Sequence, residues 1–176
     1  MHYQYKIALS FATEDQKLVE KVYHYLLAEG INVFFAPSRE AQIILSGTNQ
    51  REVFYNIFGL HAEYVALFVS KDYITKEVPL EEAQIAFAKH SSGSVIPIYI
   101  DGTSLPGNMF DPKAMNYFRS DNPAEIASHL ASKLKMSAEL SEKETNLETV
   151  QNVMHVSGNT AGKQIMIQTM NGSIEL

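Results

Sequence analysis

The sequence predicts an α/β fold with a flavodoxin-like, doubly wound sheet of five parallel strands. Short apolar runs alternate along the chain with segments of helical periodicity. These runs are continuously apolar, which is typical of parallel strands buried on both faces. Five such units predict the strand order 2-1-3-4-5, with a ligand crevice at the carboxyl ends of the strands, near the first and third.

The strands are predicted at residues 5–11, 31–35, 64–69 and 95–100, with a short fifth strand at residues 116–118. The helices are predicted at residues 14–29, 51–58, 79–89 and 123–134. In the first helix, Leu18, Val22 and Leu26 recur at spacings of four. Thr13 is its expected N-cap and Gly30 its expected stop. Residues 36–50 are predicted to form a long loop.

Composition excludes several classes of protein. The chain has 176 residues, of which 45% are hydrophobic, and a net charge of −6. No cluster of Lys and Arg supports a nucleic-acid partner. The absence of cysteine excludes disulfides and thiolate chemistry. No apolar run approaches the length of a signal peptide core or a membrane span, so we expect a cytoplasmic protein without a membrane partner.

The chain is predicted to contain three parts. Residues 1–135 form the α/β domain, and residues 136–152 are a polar linker or helix. Residues 153–176 are rich in Gly, Asn, Gln and β-forming residues and carry little charge, which favours a cross-β segment that promotes assembly. An additional hairpin on the sheet edge and a flexible end are the alternatives for this tail.

Two adjacent acids, Glu81 and Glu82, lie in the first turns of the helix that follows the third strand. Acidic residues there stabilise a helix through its dipole, which is the simpler interpretation. The other interpretation is a catalytic acid at the mouth of the crevice. Residue pattern alone leaves both open.

Other chemistries lack the required motifs. The chain contains no GxGxxG, Walker or GxSxG motif, and its six histidines show no metal-ligand spacing, so no metal site is predicted. A phospho-acceptor receiver domain has the same strand order. It needs an Asp at the end of the third strand, where this chain has Ser70, and Asp72 lies two residues further on.

Four segments resemble the TIR domain family, and its bacterial branch in particular. They are SFATED after the first strand, FFAPSREA around the end of the second, FVSKDY after the third, and EEAQIAFA on the next helix. The resemblance covers residues 5 to 134. TIR domains that act as enzymes cleave NAD⁺ at the nicotinamide–ribose bond, and NAD⁺ is then the substrate, so no cofactor is expected.

The resemblance places the catalytic acid of the family on Glu82. The family usually has Trp four residues earlier, where this chain has Val78. A carboxylate beside the ribose stabilises the positive charge that develops when the glycosidic bond breaks. Nicotinamide leaves as a neutral base, so one acid suffices. The product is either ADP-ribose or a cyclised form.

Substrate contacts are expected from the loops after the first three strands. These residues are Ser10, Phe11, Ala12, Thr13, Phe35, Arg39, Ser70 and Tyr73. Phe11 is equally expected in the core, and turn capping is the alternative for Ser70 and Tyr73. Arg39 is a candidate for the pyrophosphate.

The resemblance also predicts partners. Residues 36–50 correspond to the BB loop of the family, through which one domain contacts the next, and the tail is a second expected contact. We therefore expect a bacterial immune effector that oligomerises, responds to an upstream sensor protein, and depletes NAD⁺ or makes an ADP-ribose signal in antiphage defence. The alternative is a TIR scaffold, adaptor or virulence factor without catalytic activity.

Overall fold

The computed structural model describes residues 3–91, 93–107, 109 and 116–157. For residues 141, 142 and 144–157 it describes the backbone alone. Contacts divide the chain into two compact units, Met1–Leu134 and Lys135–Leu176. The first unit contains the sheet.

All five strands pair in parallel in the order β2-β1-β3-β4-β5, which confirms the predicted fold class. The strands are β1 (Tyr5–Phe11), β2 (Val33–Phe34), β3 (Ala62–Val69), β4 (Val95–Tyr99) and β5 (Phe118–Arg119). The central strands β3 and β4 are almost wholly buried, in agreement with their continuous apolar sequences. The two outer strands are shorter than their apolar runs, since only two residues of each pair with a neighbour.

Within the described residues, six α-helices connect and extend the strands. They are α1 (Gln16–Ala28), α2 (Arg39–Leu45), α3 (Gln50–Asn56), α4 (Lys71–Thr75), α5 (Glu77–Lys89) and α6 (Pro123–Ser157). A 3₁₀ turn, Thr13–Asp15, precedes α1, and a π-helical segment, Ile57–His61, follows α3. The π segment replaces the end of the helix predicted over residues 51–58.

The prediction of a continuous loop over residues 36–50 is wrong, because this segment contains α2. Ser38 caps this helix by accepting a hydrogen bond from the backbone N–H of Ala41. Asn49 caps α3 in the same way through the N–H of Arg51. Ser and Asn are preferred at the N-cap, so both helix starts can be recognised from the sequence.

The prediction for α1 is confirmed at its C-terminus and is wrong at its N-terminus. Thr13 lies in the 3₁₀ turn and does not cap α1, which begins at Gln16. Asp15 occupies the cap position without capping, and its carboxylate accepts a hydrogen bond from Ser70. Gly30 ends the helix as predicted. Its φ of 74° permits bonds from its own N–H to Leu27 and from the N–H of Ile31 to Leu26, which form a Schellman motif.

Two apolar layers cover the sheet. On one face, α1 and the first part of α6 pack Val22, Leu26, Ile126 and Leu130 against β1, β3 and β4. On the other face, α3, the π segment, α4 and α5 pack against alternate residues of the same strands. The helix that carries Glu82 is therefore fixed against the sheet along one side, through Ala83 and Ala86.

The second unit begins within α6, which ends at Ser157, directly before Gly158 in the sequence. Residues 153–157, the first five of the predicted assembly tail, are the last five residues of this helix. The remainder of the predicted assembly tail, residues 158–176, lies outside the described residues. Among the described residues, no helix has the length and apolarity that a membrane span requires.

Candidate active site

A cleft of about 440 Å³ opens at the carboxyl end of the sheet, on the side of α5. This is where an open α/β sheet binds ligands. Its walls come from the segments after β1 and β2, from α3 and from the first turns of α5. The lining residues are Leu9, Phe11, Thr13, Gln16, Ala36, Pro37, Gln50, Phe54, Lys76, Glu77, Val78, Pro79 and Glu82.

Glu82 lines this cleft although only 7% of the residue is exposed. Burial disfavours the charged form and raises the pKa of Glu82 to about 8. The hydroxyl of Ser10 acts in the opposite direction, because it donates a 2.6 Å hydrogen bond to Oε2 of Glu82. The neighbouring charge of Glu81 raises this pKa further. A buried acid with a strongly shifted pKa in a cleft is typical of functional sites.

Glu81 lies in a different environment although it is the adjacent residue. Its carboxylate forms an exposed ion pair with Arg51 of α3, and it does not line the cleft. Arg51 also pairs with Glu77. The helix-stabilising interpretation therefore fits Glu81, and the two acids differ in burial, partner and position.

Ser10 and Tyr73, both expected to contact substrate, lie behind the cleft wall. The Ser10 Oγ contacts Tyr73 Oη at 2.7 Å, and both side chains are buried. Ala12 is also fully buried beneath this wall. The structure thus brings Ser10 and Tyr73 to the catalytic candidate and not to the cleft surface.

Ser70 likewise does not line the cleft. Its hydroxyl has two partners within the protein. It donates to Oδ2 of Asp15 at 2.6 Å and accepts from the backbone N–H of Tyr73 at 3.1 Å. Turn capping, the alternative in the sequence analysis, describes this contact. The bond joins the segment after β3 to the segment after β1.

Phe11 and Phe35 are stacked, with ring centroids 5.4 Å apart. Phe11 reaches the cleft, whereas Phe35 is buried behind it and stacks on Tyr23 of α1 at 4.7 Å. Phe35 therefore supports the aromatic ring at the cleft surface and does not line the cleft itself. Thr13 lines the cleft beside Phe11.

Arg39 does not reach the cleft, because it begins α2 and its side chain is exposed to solvent. Lys76 instead carries the positive charge among the lining residues of the described chain. Its Nζ lies 2.6 Å from both carboxylate oxygens of Glu14. Sequence reasoning missed Lys76, Gln16 and Gln50 because nothing in their local patterns distinguishes them from other surface residues.

Val78, which stands where the family usually has Trp, lines the cleft with its side chain partly exposed. It belongs to the first turn of α5, which begins at Glu77, two residues earlier than predicted. Pro79 is the third residue of the helix, where its missing N–H leaves no intrahelical bond unmade. Among the described residues, no group of acids and histidines is arranged to hold a metal ion.

A family model described as "TIR domain" matches residues 7–134. The chain belongs to the TIR domain family. The match spans the sheet except for the first two residues of β1, and its boundaries include every residue that lines the cleft.

Two relatives place this TIR domain among known proteins. A "3' cyclic ADP-D-ribose synthase AaTIR" from Aquimarina amphilecti is 34% identical over 138 residues, which cover 76% of this chain and 41% of that protein. The chain thus spans less than half the length of this relative. The TIR domain of the Toll-related receptor TRR-2 from Hydra magnipapillata has a TM-score of 0.54 at 17% identity and covers 65% of this chain and 83% of its own. The second similarity concerns the fold alone.

Proposed function

We propose that this TIR domain is an enzyme that cleaves the nicotinamide–ribose bond of NAD⁺, with Glu82 as the catalytic residue. The observation that carries the proposal is the position of Glu82, an acid that is nearly buried and yet lines the cleft. The identity of 34% with a cyclic ADP-ribose synthase supports it. A structural role alone gives no reason to bury an acid beside an open cleft.

The reaction requires one negative charge next to the ribose. The bond between C1′ and the nicotinamide nitrogen breaks, and both electrons go to that nitrogen, which becomes neutral. The sugar becomes an oxocarbenium ion, and the Glu82 carboxylate stabilises its positive charge. Water then attacks C1′ and releases a proton, which gives ADP-ribose. A hydroxyl of the ADP-ribose itself gives a cyclic product in the same way.

The ionisation of Glu82 is coupled to the charge of the substrate. In the empty cleft its pKa of about 8 keeps most of the carboxyl groups protonated at neutral pH. The nicotinamide ring of NAD⁺ is positively charged, and a nearby positive charge favours the carboxylate. Binding of NAD⁺ therefore promotes the reactive form, whereas a dinucleotide whose nicotinamide ring is uncharged does not.

The lining also supports a placement of the substrate. The Phe11 ring, backed by Phe35, offers an aromatic face to the cationic nicotinamide. Lys76 offers its charge to the pyrophosphate and takes the role that the sequence analysis gave to Arg39. Glu14, the present partner of Lys76, competes with the phosphates for that charge.

Assembly and biological role form the finer part of the proposal. The α2 helix exposes Ile43 and Ile44, which are 68% and 39% accessible, in the segment that corresponds to the BB loop. This apolar surface favours self-association, which we propose activates the enzyme. The role in bacterial defence, the upstream sensor and the cytoplasmic location are proposed from the family resemblance. The exposed isoleucines also favour the alternative function, a TIR scaffold without catalysis.

The test is nicotinamide release from NAD⁺ by the purified chain, at low and high protein concentration. We expect Glu82→Gln to reduce release by at least about 100-fold. Glu81→Gln is the matched control and keeps activity within about threefold, because exposed ion pairs contribute little. Full activity in Glu82→Gln would exclude the proposed residue. A well-folded wild-type chain without NAD⁺ cleavage at any concentration would favour the scaffold.

A further inference from the structure

Three polar side chains from three separate elements form a chain of hydrogen bonds within the core. They are Tyr73 of α4, Ser10 of β1 and Glu82 of α5. Tyr73 Oη lies 2.7 Å from Ser10 Oγ, and Ser10 Oγ lies 2.6 Å from Glu82 Oε2. All three residues are buried, and Glu82 alone of the three lines the cleft. The cleft acid is therefore connected to a fully buried phenol.

The charged form of Glu82 fixes the direction of this chain. A serine hydroxyl has one proton, and a carboxylate can only accept, so the proton of Ser10 goes to Glu82 when that group is ionised. The contact with Tyr73 is therefore one in which the phenol donates and Ser10 accepts. Burial raises the pKa of Tyr73 well above its usual value, so the phenol keeps its proton wherever Glu82 titrates. When Glu82 is charged, both donors therefore point toward the carboxylate.

The position of the phenol is itself fixed by further bonds. The backbone N–H of Tyr73 donates to Ser70 Oγ, and Ser70 donates to Asp15 at the start of α1. Ser10 is held by the ladder, where it pairs with Leu67 of β3. Contacts with other elements therefore hold the backbones of both residues in place beside Glu82.

The hydroxyl of Ser10 is the sole side-chain partner of the Glu82 carboxyl within the part of the chain that the structure describes. The bond holds one carboxyl oxygen, so that the group stays in a single orientation in the cleft wall. A carboxylate without this bond would be free to rotate, and its alignment with the ribose would be lost.

We propose that Ser10 and Tyr73 are positioning residues, which orient the Glu82 carboxyl and support its charged form from behind, and do not bind the substrate. The effect of this positioning on catalysis rests on the function proposed above. Charge-assisted hydrogen bonds are about twice as strong as neutral ones, and donors in series strengthen each other. The carboxylate gains from this support more than the neutral acid does.

Other titratable groups surround the same helix and must be separated from this effect. They are Lys76 directly before α5, Glu77 and Glu81 of α5, Arg51 of α3, Asp72 of α4, and Glu14 and Asp15 before α1. Those of α5 and α3 are paired at the surface, and Glu14 pairs with Lys76. Replacement of a neutral hydroxyl leaves all of these charges in place.

The experiment follows the Glu82 carboxyl carbon by NMR in the full chain, labelled with ¹³C-glutamate, across pH 4 to 10. Glu82→Gln identifies the signal. We expect Ser10→Ala to move the titration midpoint upward by about one pH unit, because the carboxylate loses its donor. Tyr73→Phe moves it upward by less, since Ser10 still donates. Ser10→Thr keeps a hydroxyl and restores the wild-type midpoint.

Kinetics give an independent readout. The rise of kcat/KM with pH reports the same ionisation in the free enzyme. We expect the midpoint of this rise to shift upward most in Ser10→Ala, less in Tyr73→Phe and not at all in Ser10→Thr. KM for NAD⁺ should change by less than about threefold, because the residues do not touch the substrate. An unchanged NMR midpoint in folded Ser10→Ala would overturn the proposal. So would a KM increase without any shift of the pH profile, which indicates a direct ligand. If the midpoint shifts while NAD⁺ is not cleaved, the positioning role stands and the proposed function fails.

Discussion

Ser10 and Glu82 are 72 residues apart in the sequence, yet the serine Oγ lies 2.6 Å from a carboxyl oxygen of the acid. The parallel topology of the sheet brings these two residues together. The pairing of β1 with β3 brings the end of β1 beside the strand that leads into α4 and α5. The first turns of α5 then return over the carboxyl edge of the sheet. The contact therefore requires that the sheet, the crossover and the cleft have all formed.

Burial of Glu82 predicts that the protein becomes less stable as the pH rises. Its pKa is about 8 in the folded chain and 4.5 in the unfolded one, so between these values the folded state retains a proton that the unfolded state loses. The free energy of unfolding then falls by at most about 1.4 kcal/mol per pH unit from this group. Below pH 4.5 the group contributes no penalty, and above pH 8 the penalty is complete.

Glu82→Gln removes this titration, so its stability relative to wild type should increase between pH 5 and pH 8.5. Urea denaturation followed by circular dichroism measures the difference at both values. Glu81→Gln changes an exposed ion pair and should give the same small difference at both. Parallel pH profiles for the wild type and Glu82→Gln would contradict the assigned burial.

The ion pair between Lys76 and Glu14 predicts opposite effects of substitution at its two ends. Lys76→Met removes the charge proposed for the pyrophosphate, and we expect KM for NAD⁺ to rise about tenfold. Glu14→Gln removes a competing carboxylate, and KM should fall severalfold. Calorimetry with ADP-ribose, which contains the pyrophosphate, measures the effect of each substitution on binding without turnover.

Lys6→Met provides the control for that pair of substitutions. Lys6 pairs with Glu63 at 2.8 Å, but it lies near the start of β1, at the edge of the sheet opposite to the cleft. The affinity for ADP-ribose should stay unchanged. If Lys76→Met and Glu14→Gln changed the affinity for ADP-ribose in the same direction, the pair would act only on stability.

Patterns within single elements predicted the fold. Continuous apolar runs indicated buried parallel strands, and Gly30 indicated the left-handed stop of α1, because both properties depend on local chemistry. The position of Glu82 near the start of α5 also came from the sequence, together with the family resemblance. Burial of that acid did not, since its neighbour Glu81 has the same local pattern and an exposed position.

The contents of the cleft could not be predicted from the sequence, because they depend on how elements pack. Arg39 was the obvious loop cation, but the capped helix α2 carries it into solvent. Lys76 reaches the cleft because α4 and α5 meet there. Ser70 and Tyr73 look like exposed loop residues in the sequence, and both are satisfied within the protein. Hydrogen bonds between distant segments decide which polar residues remain for a ligand.

The exposed isoleucines of α2 predict that a charge at Ile43 weakens self-association. Ile43 is 68% accessible, and a second copy of the chain that covered it would remove apolar surface from water. We expect Ile43→Glu to shift the sedimentation distribution toward the monomer and to reduce NAD⁺ cleavage at high protein concentration. Leu27→Glu is the matched control, because Leu27 is also exposed but belongs to α1, which packs on the other face of the sheet. Unchanged sedimentation of Ile43→Glu would show that α2 is not part of an interface between copies.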